Sequence, residues 1–164
     1  MDGARTLRDL YAHNAWANAL VFEISRGVDR VALEENAPGT YGTLAETLTH
    51  LVSVEDAYLR MLRDESLAAM GPREEYHAHD MDWFAERSRE LGRAYADLLA
   101  SVDAAFFDQP LRVPWFDFPL TKHDGLLQVL THSAQHRAQV FSVLGERGVK
   151  VPDLDYVVYI RRER

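Results

Sequence analysis

The stretch Thr43-Leu44-Ala45-Glu46-Thr47-Leu48-Thr49-His50-Leu51-Val52 reads as the opening of a long helix. Thr43 and Glu46 have the spacing of a capping box, in which the hydroxyl and the carboxylate three residues later each satisfy an orphan amide at the helix start. Leu48, Leu51, Val52, Tyr58, Leu59 and Leu62 then recur near the helical period to about Arg63, and Gly71-Pro72 breaks the chain. Working outward, Leu7, Leu10, Tyr11, Ala15, Ala17 and Val21 predict a first helix from about Thr6 to Arg26, with Gly27 as its stop. A third helix is expected from Asp80 to about Val102, with Asp80 or Asp82 as cap, and a fourth from about His123 to Arg147, stopped by Gly148. Helices of about 22 residues are roughly 33 Å long, which matches an all-α, up-and-down four-helix bundle.

Two segments fall outside that pattern. Between the third and fourth helices, Pro110, Pro114 and Pro119 exclude a helix, and the triplets Leu111-Arg112-Val113 and Phe116-Asp117-Phe118 flank Pro114-Trp115 as a short hairpin or ordered loop. The C-terminal segment from Pro152 to Ile160 is apolar enough to pack on the bundle. The whole of 1–164 therefore reads as one domain.

Composition narrows the function. The chain has 164 residues, 47% hydrophobic and 27% charged, with a formal net charge of −8 from 26 acids and 18 bases. Such a balance argues against a nucleic-acid partner or an anionic membrane, because phosphate binding needs clustered positive charge. With no cysteine, disulfides, thiolate metal ligands and a cysteine nucleophile are excluded. Met1-Asp2-Gly3-Ala4-Arg5 has no apolar signal core, so a cytoplasmic protein acting on a small-molecule substrate is the expectation.

The chemistry rests on histidine. His132 and His136 are four residues apart on the fourth helix, one turn apart on one face, as two ligands of one ion require. They sit at the edge of an apolar arc that includes Leu126, Val129 and Val140. His50 is placed mid-way along the second helix, also at the edge of its apolar arc, and is the natural third ligand. The alternative is three partly buried histidines, each hydrogen-bonded to a neighbour. Other templates do not fit: Glu46 precedes His50 by four residues where di-iron bundles use Glu-x-x-His, and Ser133-Ala134-Gln135 lacks the glutamate of zinc proteases.

A histidine in mid-helix two, a His-x-x-x-His pair on helix four and the first-helix sequence Tyr11-Ala12-His13-Asn14-Ala15-Trp16-Ala17-Asn18 together resemble the DinB/YfiT-like family of metal-binding bundles. His136-Arg137-Ala138-Gln139-Val140 and Pro152-Asp153-Leu154-Asp155-Tyr156 resemble that family's segments after the last ligand and at its close. The resemblance covers nearly the whole chain and implies His50, His132 and His136 as metal ligands. Members related to mycothiol-dependent maleylpyruvate isomerase carry a glutamate at the first position of the helix-four pair. Histidine at 132 makes this chain more similar to the three-histidine members, which include low-molecular-weight thiol S-transferases and stress-associated proteins. A homodimer is a further implication of the resemblance.

Three neutral imidazoles leave a divalent ion its full charge and open positions, the pattern of catalytic rather than structural zinc. Zinc is the first expectation; nickel, iron and manganese are also compatible, because imidazole accepts each of them. Without cysteine, thiol transfer would need an external low-molecular-weight thiol cosubstrate. Hydrolysis by activated water and metal binding without catalysis are the alternatives. Around the site, Glu46 is either a carboxylate orienting His50 or simply the capping glutamate. Arg137 either holds a substrate carboxylate or pairs internally with Glu55. Asn14, Asn18 and His13 are candidate pocket residues, and Trp16 is expected in the core. His77 and His79, in an acidic loop, are read as solvated, and His123 lies off the His132 face.

Overall fold

The computed structural model describes residues 3–36 and 39–163; the remainder of the 1–164 span, Met1, Asp2, Ala37, Pro38 and Arg164, lies outside the described residues. Four long helices form the body: α1 (Gly3–Arg26), α3 (Leu44–Leu62), α5 (Met81–Ser101) and α7 (Lys122–Glu146). Between them are α2 (Arg30–Glu34), a 3-10 turn at Leu67–Met70, α4 (Arg73–His77), α6 (Ala104–Phe107) and the strands β1 (Pro110–Leu111) and β2 (Leu120–Thr121). The C-terminal segment is a helix, α8 (Tyr156–Glu163).

Local chemistry sets most of the helix ends. The Thr43 hydroxyl accepts from the Glu46 amide at 3.0 Å while the Thr43 amide donates to Glu46 Oε2 at 2.7 Å, so the capping box is formed. Asp80, not Asp82, caps α5 by accepting from the Trp83 amide. A second capping box, Thr121 with Asp124, starts α7 one residue before the predicted point. At its end Gly148 takes φ 78°, and the Val149 amide reaches back to the Leu144 carbonyl.

The four-helix bundle expected from the sequence is present, and its connectivity is specific. Around the bundle the order is α1, α5, α3, α7, so α1 and α3 are diagonal, as are α5 and α7. Direction follows from cross-helix contacts. Tyr11 meets Tyr95 while Arg26 meets Asp82, so α1 and α5 are antiparallel. Tyr11 donates to the Leu126 carbonyl and Asn18 meets Arg137, so α7 runs with α1. His50 lies beside His132 and Asp64 beside Lys122, so α3 opposes α7; Asp56 pairs with Arg87 and Arg63 reaches the Ala94 carbonyl, so α3 and α5 run together. The helices therefore run up, down, down, up, so the all-α four-helix bundle is as expected but its course is not the alternating up-and-down one. The connection 63–80 is long enough to cross the end of the bundle, which lets α5 run beside α3 in the same direction.

Leu44, Leu48, Leu51 and Leu62 of α3, Leu91 and Leu99 of α5 and Leu126 and Leu144 of α7 are fully buried. Each contributes about 1.5–3 kcal/mol through removal of apolar surface from water. The small hairpin exists, but not where the triplets placed it. Pro110 pairs with Thr121 and Leu111 with Leu120, so Phe116-Asp117-Phe118 belongs to the loop and not to a strand. Pro119 cannot donate to the ladder, and pairing begins only after it. Leu111 and Val113 turn inward, whereas Trp115, Phe116 and Phe118 stay exposed.

Candidate metal centre

The fold brings together the three histidines that the sequence singled out. Mid-helix placement on antiparallel α3 and α7 puts His50 level with His132 and His136. His132 Nε2 lies 3.2 Å from His50 Nε2 and 3.1 Å from His136 Nε2. The three form the single His/Asp/Glu cluster of ligand-like geometry among the described residues. Nitrogens about 2.0–2.1 Å from a tetrahedral zinc lie roughly 3.3 Å from each other, so these separations are close to those of a coordinated set.

Protonation also favours a cation. Burial, reinforced by the neighbouring imidazoles, lowers the pKa of His132 to about 3. Burial, with the charges of His136, Arg73 and His77, lowers that of His50 to about 4. His136 is lowered by burial as well, although its bond to Gln139 opposes the shift. All three rings are therefore neutral at pH 7. His136 Nδ1 donates to Gln139 Oε1 at 2.7 Å, which puts the proton on Nδ1 and leaves the Nε2 lone pair aimed at the cluster. His132 Nδ1 is buried without a protein partner among the described residues.

His50 and His132 line a cavity of about 540 Å³, while His136 is buried. Tyr41, which precedes the α3 cap, stacks on His50 at 4.0 Å between ring centres and meets His136 edge-on at 6.4 Å. Tyr58, Trp115 and Phe116 form an aromatic wall, and Arg73 and His77 approach from α4. No Asp or Glu lines this cavity among the described residues.

The remaining candidates are placed elsewhere. Glu46 serves the Thr43 cap, and no hydrogen bond joins it to His50 among the described residues. His13 Nε2 contacts the Leu154 carbonyl at 2.7 Å, and its ring lies among Trp16, Tyr156 and Tyr159. It is part of the contact between α1 and the C-terminal segment and not a cavity residue, because that segment covers this face of α1. Trp16 is likewise half-buried under α8 and not in the core. His123 is exposed at the start of α7.

Arg137 and Asn14 lie on the inner side of the helices, opposite a substrate role. Arg137 Nη1 donates to Asn14 Oδ1 at 2.5 Å and to Asn18 Oδ1 at 2.7 Å. Asn14 Nδ2, Asn18 Nδ2 and the Ser133 hydroxyl all donate to Glu55 Oε1, at 2.8, 2.9 and 2.6 Å. The expected pairing of Arg137 with Glu55 is thus relayed through two asparagines. Arg137 and Ser133 are the sequence neighbours of His136 and His132, so this buried network fixes α7 against α1 and α3 directly behind the histidines.

His77 and His79 separate. His77 ends α4 and borders the histidine cavity, whereas His79 stacks on Trp83 at 3.9 Å. Sequence reasoning missed Tyr41, Arg73 and Gln139. Only Gln139 left a signal, at three residues after His136 on the same helix face.

A model of the DinB family matches residues 3–164. Among solved structures, the chain is similar to YfiT from Bacillus subtilis, at TM-score 0.69 and 14% identity, over 92% of this chain and 90% of that one. That protein is described as "a probable metal-dependent hydrolase with an unusual four-helix bundle topology". The chain is also similar to the DinB-like protein YjoA of Bacillus subtilis, at TM-score 0.68 and 13% identity, over 89% of this chain and 97% of that one. No curated protein matches the sequence.

Proposed function

The chain belongs to the DinB family, and from that premise we propose that it is a divalent-metal-dependent enzyme in which His50, His132 and His136 hold the cation. The observation that carries this is the convergence of three neutral Nε2 atoms, with His132 Nε2 3.2 Å from that of His50 and 3.1 Å from that of His136, beside a cavity that His50 and His132 line. A cation bound there supplies a Lewis acid that lowers the pKa of a nucleophile beside it. Zinc fits the all-nitrogen set; nickel, iron and manganese fit the same donors. The protein's own part is to keep the imidazoles deprotonated, to orient His136 through Gln139 and to offer an aromatic wall to the substrate.

Two nucleophiles are compatible with this site. The first is an external low-molecular-weight thiol, transferred to an electrophilic substrate. A thiol ionises near pH 8.5 and water near 15.7, and no carboxylate lines the cavity to remove a proton, so the thiol asks less of these residues. With no cysteine in the chain, that thiol must be a cosubstrate. The second is water, which makes the protein a hydrolase; the description of YfiT favours it. The three ligands come from one chain, so neither reading depends on a homodimer.

Metal content by mass spectrometry on untagged protein tests the premise. We expect about one equivalent in the wild type and its loss in His132→Ala, with helical circular dichroism retained. No metal in the wild type after supplementation with zinc, nickel or manganese, or undiminished metal in His132→Ala, overturns the assignment. Zinc-loaded protein is then assayed for thiol substitution on an activated aryl halide, in which the thiol gives up its proton and the C–S bond replaces the carbon–halogen bond with release of halide, and for hydrolysis of an aryl ester. Bound metal with neither activity would leave a metal-binding stress-response protein.

A further inference from the structure

We infer that Arg73, held by Tyr41, is a carboxylate-binding subsite, so that the molecule acted on is a small carboxylate with an apolar body. The inference rests on the proposal that the histidine cavity is the reaction site, and it adds the class of substrate.

The distribution of charge is the first support. Acids outnumber bases by 26 to 18 in the chain, yet no acid lines this cavity among the described residues and one guanidinium does. Glu74 and Glu75, adjacent to Arg73 in sequence, do not line it. A divalent ion on three neutral imidazoles keeps its full charge, so cation and guanidinium together make a positive cavity in a negative molecule. Such a cavity attracts anions and rejects cations.

The second support is the state of the guanidinium. Arg73 Nη2 donates to Tyr41 Oη at 3.3 Å, and Arg73 takes part in no ion pair among the described residues. An arginine has five N–H donors in a fork matched to a carboxylate, and one bond to a phenol leaves most of the fork available. The side chain is exposed at the cavity, and the elements that carry it and its partner are placed from two sides. Tyr41 is stacked on His50, and α4 is anchored by buried Tyr76, whose hydroxyl donates to Asp56 Oδ2 at 3.2 Å. Asp56 is itself held by Arg60 and Arg87.

The third support is the size and surface of the cavity. The cavity, about 540 Å³, suits a small molecule, and Tyr58, Trp115 and Phe116 offer apolar surface to its body. Recognition would then use the cation and Arg73 for the charge and the aromatic side chains for the apolar body.

Titration calorimetry with 3-phenylpropionate and its neutral analogue 3-phenylpropanamide tests the inference on full-length zinc-loaded and chelator-treated protein. The carboxylate should bind more tightly than the amide in both forms. In metal-free protein, where the carboxylate cannot ligate zinc, Arg73→Gln should reduce that preference by about tenfold, as expected for loss of one charge-assisted contact. Arg73→Lys should keep part of the preference, and the remote Arg89→Gln should keep all of it. Equal affinity for the two probes, no binding of either at millimolar concentration, or an unchanged preference in Arg73→Gln overturns the inference. A wild-type protein that takes up no zinc overturns the metal reading alone, while the metal-free titration still decides the role of Arg73.

Discussion

At the scale of single residues, His136 shows how one ring is readied for the metal-binding role proposed for it. Its Nδ1 is occupied by Gln139 at 2.7 Å and its Nε2 faces His132 at 3.1 Å, so tautomer and orientation are set together. Gln139→Leu should therefore weaken metal binding by about 10- to 100-fold, the usual effect of removing the hydrogen-bond partner of a metal-binding imidazole. Competition against a chelating dye measures this, and an unchanged affinity would show that Gln139 does not orient the ring. The His132/His136 pair was legible in the sequence because four residues on a helix is a local relation. Tyr41 was not, because it lies before the α3 cap and stacks on His50 only once the bundle has closed. Arg73 and His77 were hidden for the same reason: they reach the cavity from a five-residue helix whose place is set by Tyr76 and Asp56.

At the scale of elements, close helix approach explains one glycine that the sequence left unremarked. A Cβ on Gly92 would lie 2.8 Å from Ala15 Cβ, so α5 meets α1 through two small residues. Gly92→Ala should gain helix propensity of about 1 kcal/mol and lose about 1–3 kcal/mol to overpacking, for a net destabilisation read by urea denaturation. A stabilised variant would mean that the two helices separate without cost. The long helices were legible because their caps and apolar periods are local. The Thr121-Asp124 capping box has the same kind of signal and was overlooked, which moved the start of α7 by one residue. The strand pairing of β1 with β2 was misplaced because the register follows inward-facing Leu111 and the α7 cap, not the apolar triplets alone.

At the scale of the whole molecule, the buried network from Glu55 through Asn14 and Asn18 to Arg137 ties three of the four long helices together. Burial lowers the pKa of Arg137 to about 10 while the Glu55 charge opposes that shift, so the guanidinium remains charged at pH 7. Arg137→Met removes the donor to both asparagines and leaves the Glu55 charge without its compensating cation. The expected loss is about 3–5 kcal/mol of unfolding free energy. Denaturation of metal-free protein measures it independently of the site, and a loss below about 1 kcal/mol would show that the two charges do not depend on each other.

The sequence by itself determined the helical class, the extent of the four long helices and the identity of the three histidines, because caps, apolar period and i,i+4 spacing are properties of neighbouring residues. Tertiary structure alone decided the up-down-down-up course, which depends on how the connection 63–80 crosses the end of the bundle. It also decided the company around the histidines. Tyr41 and Arg73 come to the cavity from segments distant along the chain, while Asn14 and Arg137 are turned to the interior on the other side of their helices. No local pattern records either outcome, since each is fixed by which helix faces are buried against each other.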